Sequence, residues 1–397
     1  MPTNRRQFIR SLAALPLLAG PVRLLAAPAG GSARFVLVFL RGGYDAASLL
    51  IPYHSSDYYE ARPTLALARP GSDLQAALPV DGDWALNPVL RESLYPLFQR
   101  RQLAFVPFAG TDDLSRSHFE TQQSIELGLA AGGARDYRSG FLNRLAGVLG
   151  GQGAIAFTDQ LPLVMSGPAA VPNVALRQVA KPGLSVRQSQ IIAGMYRGSR
   201  LAGQVSEGFG MRDEVLKAFA EEMESSSRNA VSARGFELEA RRIGKLMRER
   251  YRLGFVDVGG WDTHVSQGGN GGYLASRFDE LGRGLAAFAD EMGKAWDDTV
   301  VVVVSEFGRT FRENGSRGTD HGHGTVFWVL GGSVAGGRVA GEQVEVRRST
   351  LLQDRDFPVL NDYRQVLGGL FQRQFGLSAE QLTKVFPGAR SVDLELL

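Results

Sequence analysis

The chain contains no cysteine, which excludes disulfides, thiolate metal ligands and a thiol nucleophile together. Any metal it binds must be held by imidazole and carboxylate groups. Histidine is scarce too, with five in 397 residues. Nor is there a large excess of either charge. The formal net charge is +3, and Arg5, Arg6, Arg10 and Arg23 supply part of it. The remainder is close to neutral, which gives no support to a nucleic-acid partner. Beyond the N-terminal stretch no apolar run reaches the roughly 20 residues needed to span a bilayer, so no membrane span is expected in the mature protein.

The N-terminus reads as an address. Asn4-Arg5-Arg6-Gln7-Phe8 precedes an apolar stretch from Leu12 to Leu25, interrupted by Pro16, Gly20 and Pro21, and then Ala27-Pro28-Ala29. A cationic head, a mild hydrophobic middle and a small-x-small end predict a twin-arginine signal peptide over residues 1–29, removed on export to the periplasm or the medium. The mature chain, residues 30–397, is long enough for one large domain with an insertion.

Five short runs have the β-branched, aromatic and aliphatic content of strands buried on both faces: Arg34–Leu40, Leu103–Phe108, Gly254–Val258, Thr299–Val304 and Thr325–Leu330. Pro107 is expected to end the second. Between them lie helical patterns. In Tyr273–Met292 the apolar residues Leu274, Phe278, Leu281, Leu285, Phe288 and Met292 step by three and four. Ser232–Arg252 and Asn361–Phe375 read similarly, the latter with Asn361 as its expected cap. Alternating strands and helices predict an α/β fold, a doubly wound, mostly parallel sheet. Residues 162–228, rich in Gly, Pro and Ser, break this rhythm and are expected to form an inserted lid.

In open α/β sheets ligands sit beyond the carboxyl ends of the strands. The loops there read RGGYD (41–45), TDDLSRSH (111–118), GGWDTH (259–264) and SEFGRT (305–310), and GTDHGHG (318–324) precedes the fifth strand. Four of the five histidines, His118, His264, His321 and His323, fall in these loops. Asp262-x-His264 and His321-x-His323 have the spacing of chelating pairs, because residues two apart in an extended segment share a side. The same residues also fit loop bracing, with Asp capping helices and His bonded to carbonyls. Ser117-His118-Phe119-Glu120 opens a helical stretch and has the form of a capping box. A hydroxyl placed there also lies in the positive potential of a helix N-terminus. Arg41, Arg116 and Arg309 share the loops and have the fork geometry for phosphate or sulfate, although Arg309 pairs equally well with Glu306 or Asp320.

Taken in order, the leader, RGGYD, SRSHF, GGWDTH, SEFGRT and GTDHGHG resemble the domain-of-unknown-function 1501 family over nearly the whole mature chain. That family's fold belongs with the alkaline phosphatase and sulfatase superfamily. The resemblance implies a two-metal hydrolase of phosphate or sulfate esters, using divalent ions with zinc or manganese expected. It places Asp45, Asp262, His264, Glu306, Asp320, His321 and His323 among the metal ligands. Ser117 takes the nucleophile position, with Thr111 and Ser115 as alternatives, and His118, Arg116 and Arg309 assist. Two departures stand out. Glu306-Phe307 replaces the superfamily's Asp-His pair, and without cysteine no formylglycine can form. They keep open a non-enzymatic alternative, an exported envelope or binding protein with a protein partner in place of a small anionic ester.

Overall fold

The structure, a computed structural model, describes residues 32–132, 135–176, 186–206, 208–209 and 235–397. The expected leader and much of the expected insertion lie outside the described residues. Strand β1 (Arg34–Leu40) is central and every residue after Arg34 is buried. Side-chain alternation divides it between two cores. Val36, Val38 and Leu40 face one, while Phe35, Leu37 and Phe39 face the other. Each such side chain contributes about 1.5–3 kcal/mol of burial free energy, which fixes the strand's register as well as its position.

Around it lie β2 (Leu103–Gly110), β3 (Ala154–Ala156), β4 (Leu253–Val258), β5 (Thr299–Ser305), β6 (Thr325–Leu330), β7 (Arg338–Val339) and β8 (Asn361–Asp362). The sheet order is β7-β2-β6-β5-β1-β4-β3, with β8 also on β2. β1 runs parallel to β4 and β5, and β3 parallel to β4. β6 alone is antiparallel to both neighbours, β2 and β5.

That reversal positions the site. The loops after β1, β2, β4 and β5 lie at the sheet's C-terminal rim. Because β6 runs the other way, the GTDHGHG segment that precedes it starts from the same rim.

Helices cover both faces. Helices α3 (Phe236–Glu249) and α4 (Tyr273–Met292) pack on the Val36 side through Phe236, Ile243, Met247, Phe278 and Leu285. On the Phe35 side lie α1 (His118–Leu127), α2 (Phe141–Val148), α5 (Tyr363–Phe375) and α6 (Ala379–Val385). The doubly wound, mostly parallel α/β architecture read from the sequence is the one observed.

Some details differ from expectation. β2 continues past Pro107 to Gly110 by way of an irregularity between Val106 and Ala109, and the Pro107 carbonyl is satisfied by Asn361 Nδ2 at 2.8 Å. Asn361 is therefore occupied elsewhere, and Asp362 caps α5 by accepting the Arg364 N–H. Pro162–Leu176 packs against the domain, with Val164, Met165, Val174 and Leu176 buried and Val174 N–H donating to the Ala156 carbonyl. This opening part of the expected insertion packs on the body of the domain.

Candidate metal centre

Three rim loops bring three imidazoles and one carboxylate to a point. His118 Nε2 lies 3.0 Å from His321 Nε2, and His264 Nε2 lies 3.1 Å from the same atom. Asp262 Oδ1 stands 2.9 Å from His264 Nε2, 3.2 Å from His321 Nε2 and 3.6 Å from His118 Nε2. Among the described residues His118, Asp262 and His321 form the group of three whose donor atoms lie mutually within reach of one ion, and His264 joins from the Asp262 and His321 side. Tetrahedral ligands about 2.0–2.1 Å from a zinc-like ion stand about 3.3 Å apart. The separations within the group of His118, Asp262 and His321, at 3.0, 3.2 and 3.6 Å, bracket that value.

The outer nitrogens explain the orientation. His118 Nδ1 donates to Glu306 Oε1 at 2.7 Å, His264 Nδ1 to Asp320 Oδ1 at 3.2 Å, and His321 Nδ1 to the Arg116 carbonyl at 3.0 Å. An acceptor at each Nδ1 places the hydrogen there and leaves the Nε2 lone pair facing inward. The Arg309 guanidinium meets Asp262 Oδ1 and, at 3.4 Å, His264 Nε2, while His118 Nε2, His321 Nε2 and Asp262 Oδ1 face one another. The donor set thus fits a divalent ion of the zinc class.

Local structure supplies the geometry. The SEFGRT and GTDHGHG loops form a short ribbon: Thr310 N–H donates to Asp320 C=O, Gly322 N–H to Gly308 C=O, and Gly308 N–H to His323 C=O, at 2.8–2.9 Å. His118 opens α1, and Gln122, one turn later, donates to Glu306 Oε1 at 2.8 Å. Glu306 is fully buried and also accepts from Gly42 N–H at 2.8 Å. Gly42 (φ +125°) has no room for a side chain, since a Cβ there would lie 2.7 Å from Asp262 N. The Phe307 ring underlies the cluster, 4.9 Å from the His118 ring and 5.1 Å from the His321 ring.

These contacts set the electrostatics. Glu306 holds His118 above the ordinary imidazole value by accepting its hydrogen bond. Burial, reinforced by the charge of His118, pushes His321 below it. Burial alone would raise Asp262, but Arg309 holds it below the usual carboxylate range. Burial would likewise raise Glu306, which the donors His118, Gln122 and Gly42 keep low.

Other expected ligands are placed differently. Asp45 is bound on both oxygens by Arg62, at 2.5 and 2.9 Å, and also by Ser48 Oγ and Gln267 Nε2 at 2.6 Å. It stands outside the cluster because a buried guanidinium has claimed it. Glu306 and Asp320 hold histidines, with Asn314 also donating to Asp320, so both act one layer out. His323 does not accompany His321. The chain bends at His323 on entering β6, which breaks the alternation that the spacing assumed, and its side chain is buried near Asp356 and Arg116.

The arginines are committed as well. Arg309 donates to the carbonyls of Gly42, Gly43, Trp261 and Thr319 and to Asp262, so it braces the loops and presents no free fork to an anion. Arg116 pairs with Asp356 and Gln353, and Arg41 with Asp257, Gln122 and Glu126. Ser117 is the N-cap of α1 but its side chain makes no cap bond, so the expected capping box is not formed. Thr111 Oγ1 is turned to Asp112, and Ser115 Oγ to Thr121. Of the three hydroxyls, Ser117 adjoins a cluster residue. Sequence reasoning missed Arg62, Gln122 and Gln267. Only Gln122 carried a signal, its one-turn spacing from His118.

No curated protein matches the chain. Among solved structures it is similar to the lipoteichoic acid synthase LtaP from Listeria monocytogenes, at TM-score 0.39 and 8% identity over 92% of this chain and 76% of that one. It is also similar to an alkaline phosphatase superfamily protein from Vibrio parahaemolyticus, at 0.34 and 12% over 76% and 60%. The soluble domain of lipooligosaccharide phosphoethanolamine transferase A from Neisseria meningitidis scores 0.35 at 11% identity, over 77% and 79%. At such scores the chemistry of one chain says nothing about another. The model of the family described as "Protein of unknown function (DUF1501)" matches residues 32–386, and the chain belongs to that family.

Proposed function

We propose that this protein is an exported, metal-dependent hydrolase of phosphate or sulfate esters. The observation that carries the reading is the convergence of His118, His264, His321 and Asp262, each histidine held from behind. Zinc and manganese suit this donor set. A divalent cation there supplies Lewis-acid stabilisation of charge developing on an anionic ester.

The chain supplies the rest. Side-chain exposures of 23–46% for His118, His321, His264 and Asp262 leave the cluster open to solvent on one side. Ser117 offers a hydroxyl beside His118 at the positive end of α1, where an attached anionic group is stabilised. Glu306 and Asp320 fix the imidazoles so that no reorganisation is needed when charge develops. The test is a panel of aryl phosphate monoesters, diesters and aryl sulfates with zinc- or manganese-loaded protein. Turnover should disappear in Asp262→Ala with loss of metal, and in Ser117→Ala with metal retained.

A second reading is a metal-braced binding protein with an exported protein partner. The commitment of Arg41, Arg116 and Arg309 to protein acceptors favours it. Turnover lost in Ser117→Ala rejects it, and a fully loaded protein inert on the whole panel supports it.

The leader's Arg5-Arg6 pair carries the proposal of export through the twin-arginine route. No helix among the described residues is long and apolar enough to cross a membrane. Replacing Arg5 and Arg6 by Lys should retain the precursor in the cytoplasm, and unimpeded export of that variant would refute the route.

A further inference from the structure

A rim built for two ions needs two ligand sets, each with at least three donors. Asp45, Glu306, Asp356 and Asp257 are each engaged by permanent or fixed donors. Asp45 meets Arg62 Nη1 at 2.5 Å and Nη2 at 2.9 Å, and Arg62 is itself fully buried, with Nε and Nη2 on the carbonyls of Phe311 and Thr310. A guanidinium in this setting is always charged and has no path to solvent, so it neutralises Asp45 permanently. Glu306 is fully buried, and its Oε1 is taken by His118 Nδ1, Gln122 and Gly42 N–H. Asp356 is held by Arg116 and Arg355, and Asp257 by Arg41.

Space is taken as well as charge. The Phe307 ring lies against both His118 and His321. It is buried, and it reaches this position because Gly43 (φ +62°) has no Cβ: one there would lie 2.5 Å from the ring. An aromatic ring with no donor atom therefore stands beside the imidazoles.

We infer that the centre holds one cation, with the buried Arg62 guanidinium in place of a second cation at Asp45 and the Phe307 ring in place of a further ligand. This rests on the metal reading above and narrows it. The site then takes small anionic esters that one ion and the α1 N-terminus can hold between them.

The test is stoichiometry on the full mature chain, separately with zinc and with manganese. The protein is equilibrated with excess metal and gel-filtered, and metal per chain is measured by elemental analysis with a parallel calorimetric titration. One ion per chain, falling to none in His321→Ala, is the expected result. Two ions per chain, both lost with wild-type folding intact on chelation, would overturn the inference and leave the metal reading standing. No ion retained and no binding heat would remove the metal reading itself. In Asp45→Asn the number should stay at one; a fall in that variant, with far-ultraviolet circular dichroism unchanged, would show Asp45 to be a ligand and overturn the inference.

Discussion

Replacing Asp45 by Asn separates two accounts of the loop after β1. If Asp45 is a metal ligand, the substitution weakens metal binding; if it is the partner of Arg62, it weakens the fold. The structure supports the second, with both side chains out of solvent, at 1% and 0% exposure, and a bidentate contact between them. Removing one member of a buried pair leaves an uncompensated charge and costs about 3–5 kcal/mol. Arg62 keeps two carbonyl acceptors, Phe311 O at 2.7 Å and Thr310 O at 3.0 Å, so a loss of about 3 kcal/mol is expected. Against a typical domain stability of about 5–15 kcal/mol that is a large fraction.

Urea unfolding of the metal-free protein should show a lower midpoint at unchanged slope. The double substitution Asp45→Asn with Arg62→Gln, which leaves no stranded charge, should recover part of the loss. There is also a pH signature. Burial alone would raise Asp45, but Arg62 holds it below its ordinary value. Its contribution is therefore complete above the unfolded carboxylate value of about 3.9 and fades as pH falls through the lower folded-state value. Asp45→Asn should flatten that acid part of the stability curve. A variant that keeps wild-type stability and loses its metal would refute the assignment.

Glu306→Gln should lower metal affinity about 10- to 100-fold, because the acceptor behind His118 loses its charge; an unchanged affinity in a competition titration would contradict this. In the metal-free protein the His118 imidazole, followed by NMR, should titrate above the ordinary value of about 6.5, and Glu306→Gln should bring it down. Gly43→Ala sets a Cβ against the Phe307 ring at a left-handed backbone position; it should cost about 1–3 kcal/mol in urea unfolding, and a neutral result would show that the ring is free to move. His323→Gln should retain metal in full, since the bend into β6 carries that side chain away from the cluster, and loss of metal would reverse its placement.

Much of the fold was legible because its strands are buried on both faces. Arg34–Leu40 and Thr299–Val304 read as continuous apolar runs, and the register of Tyr273–Met292 comes from spacing alone. The direction of β6 was not legible, because burial patterns carry no polarity. That same reversal brings the loop before β6 to the rim with loops that come after other strands. In the site, His118, His264, His321 and Asp262 stood out because imidazole is rare in this chain and rim loops collect function. The exclusion of Asp45 could not be read, since it depends on Arg62, which lies 17 residues away at a helix end with no pattern of its own. His323 misled for a related reason: a two-residue spacing implies a shared side only while the chain stays extended. Ser117-x-x-Glu120 has the letters of a capping box, but here Ser117 forms no cap bond.

The central claim is that His118, His321 and Asp262, with His264 beside them, gather around a cation. An anomalous difference map, recorded at the absorption edge of zinc or manganese from crystals grown with that ion, tests it directly. The account predicts one strong peak at about 2.0–2.2 Å from His118 Nε2, His321 Nε2 and Asp262 Oδ1, which vanishes in crystals of His321→Ala. A map with no peak among these atoms at saturating metal would contradict it, as would a peak bound instead by Asp45 and Glu306.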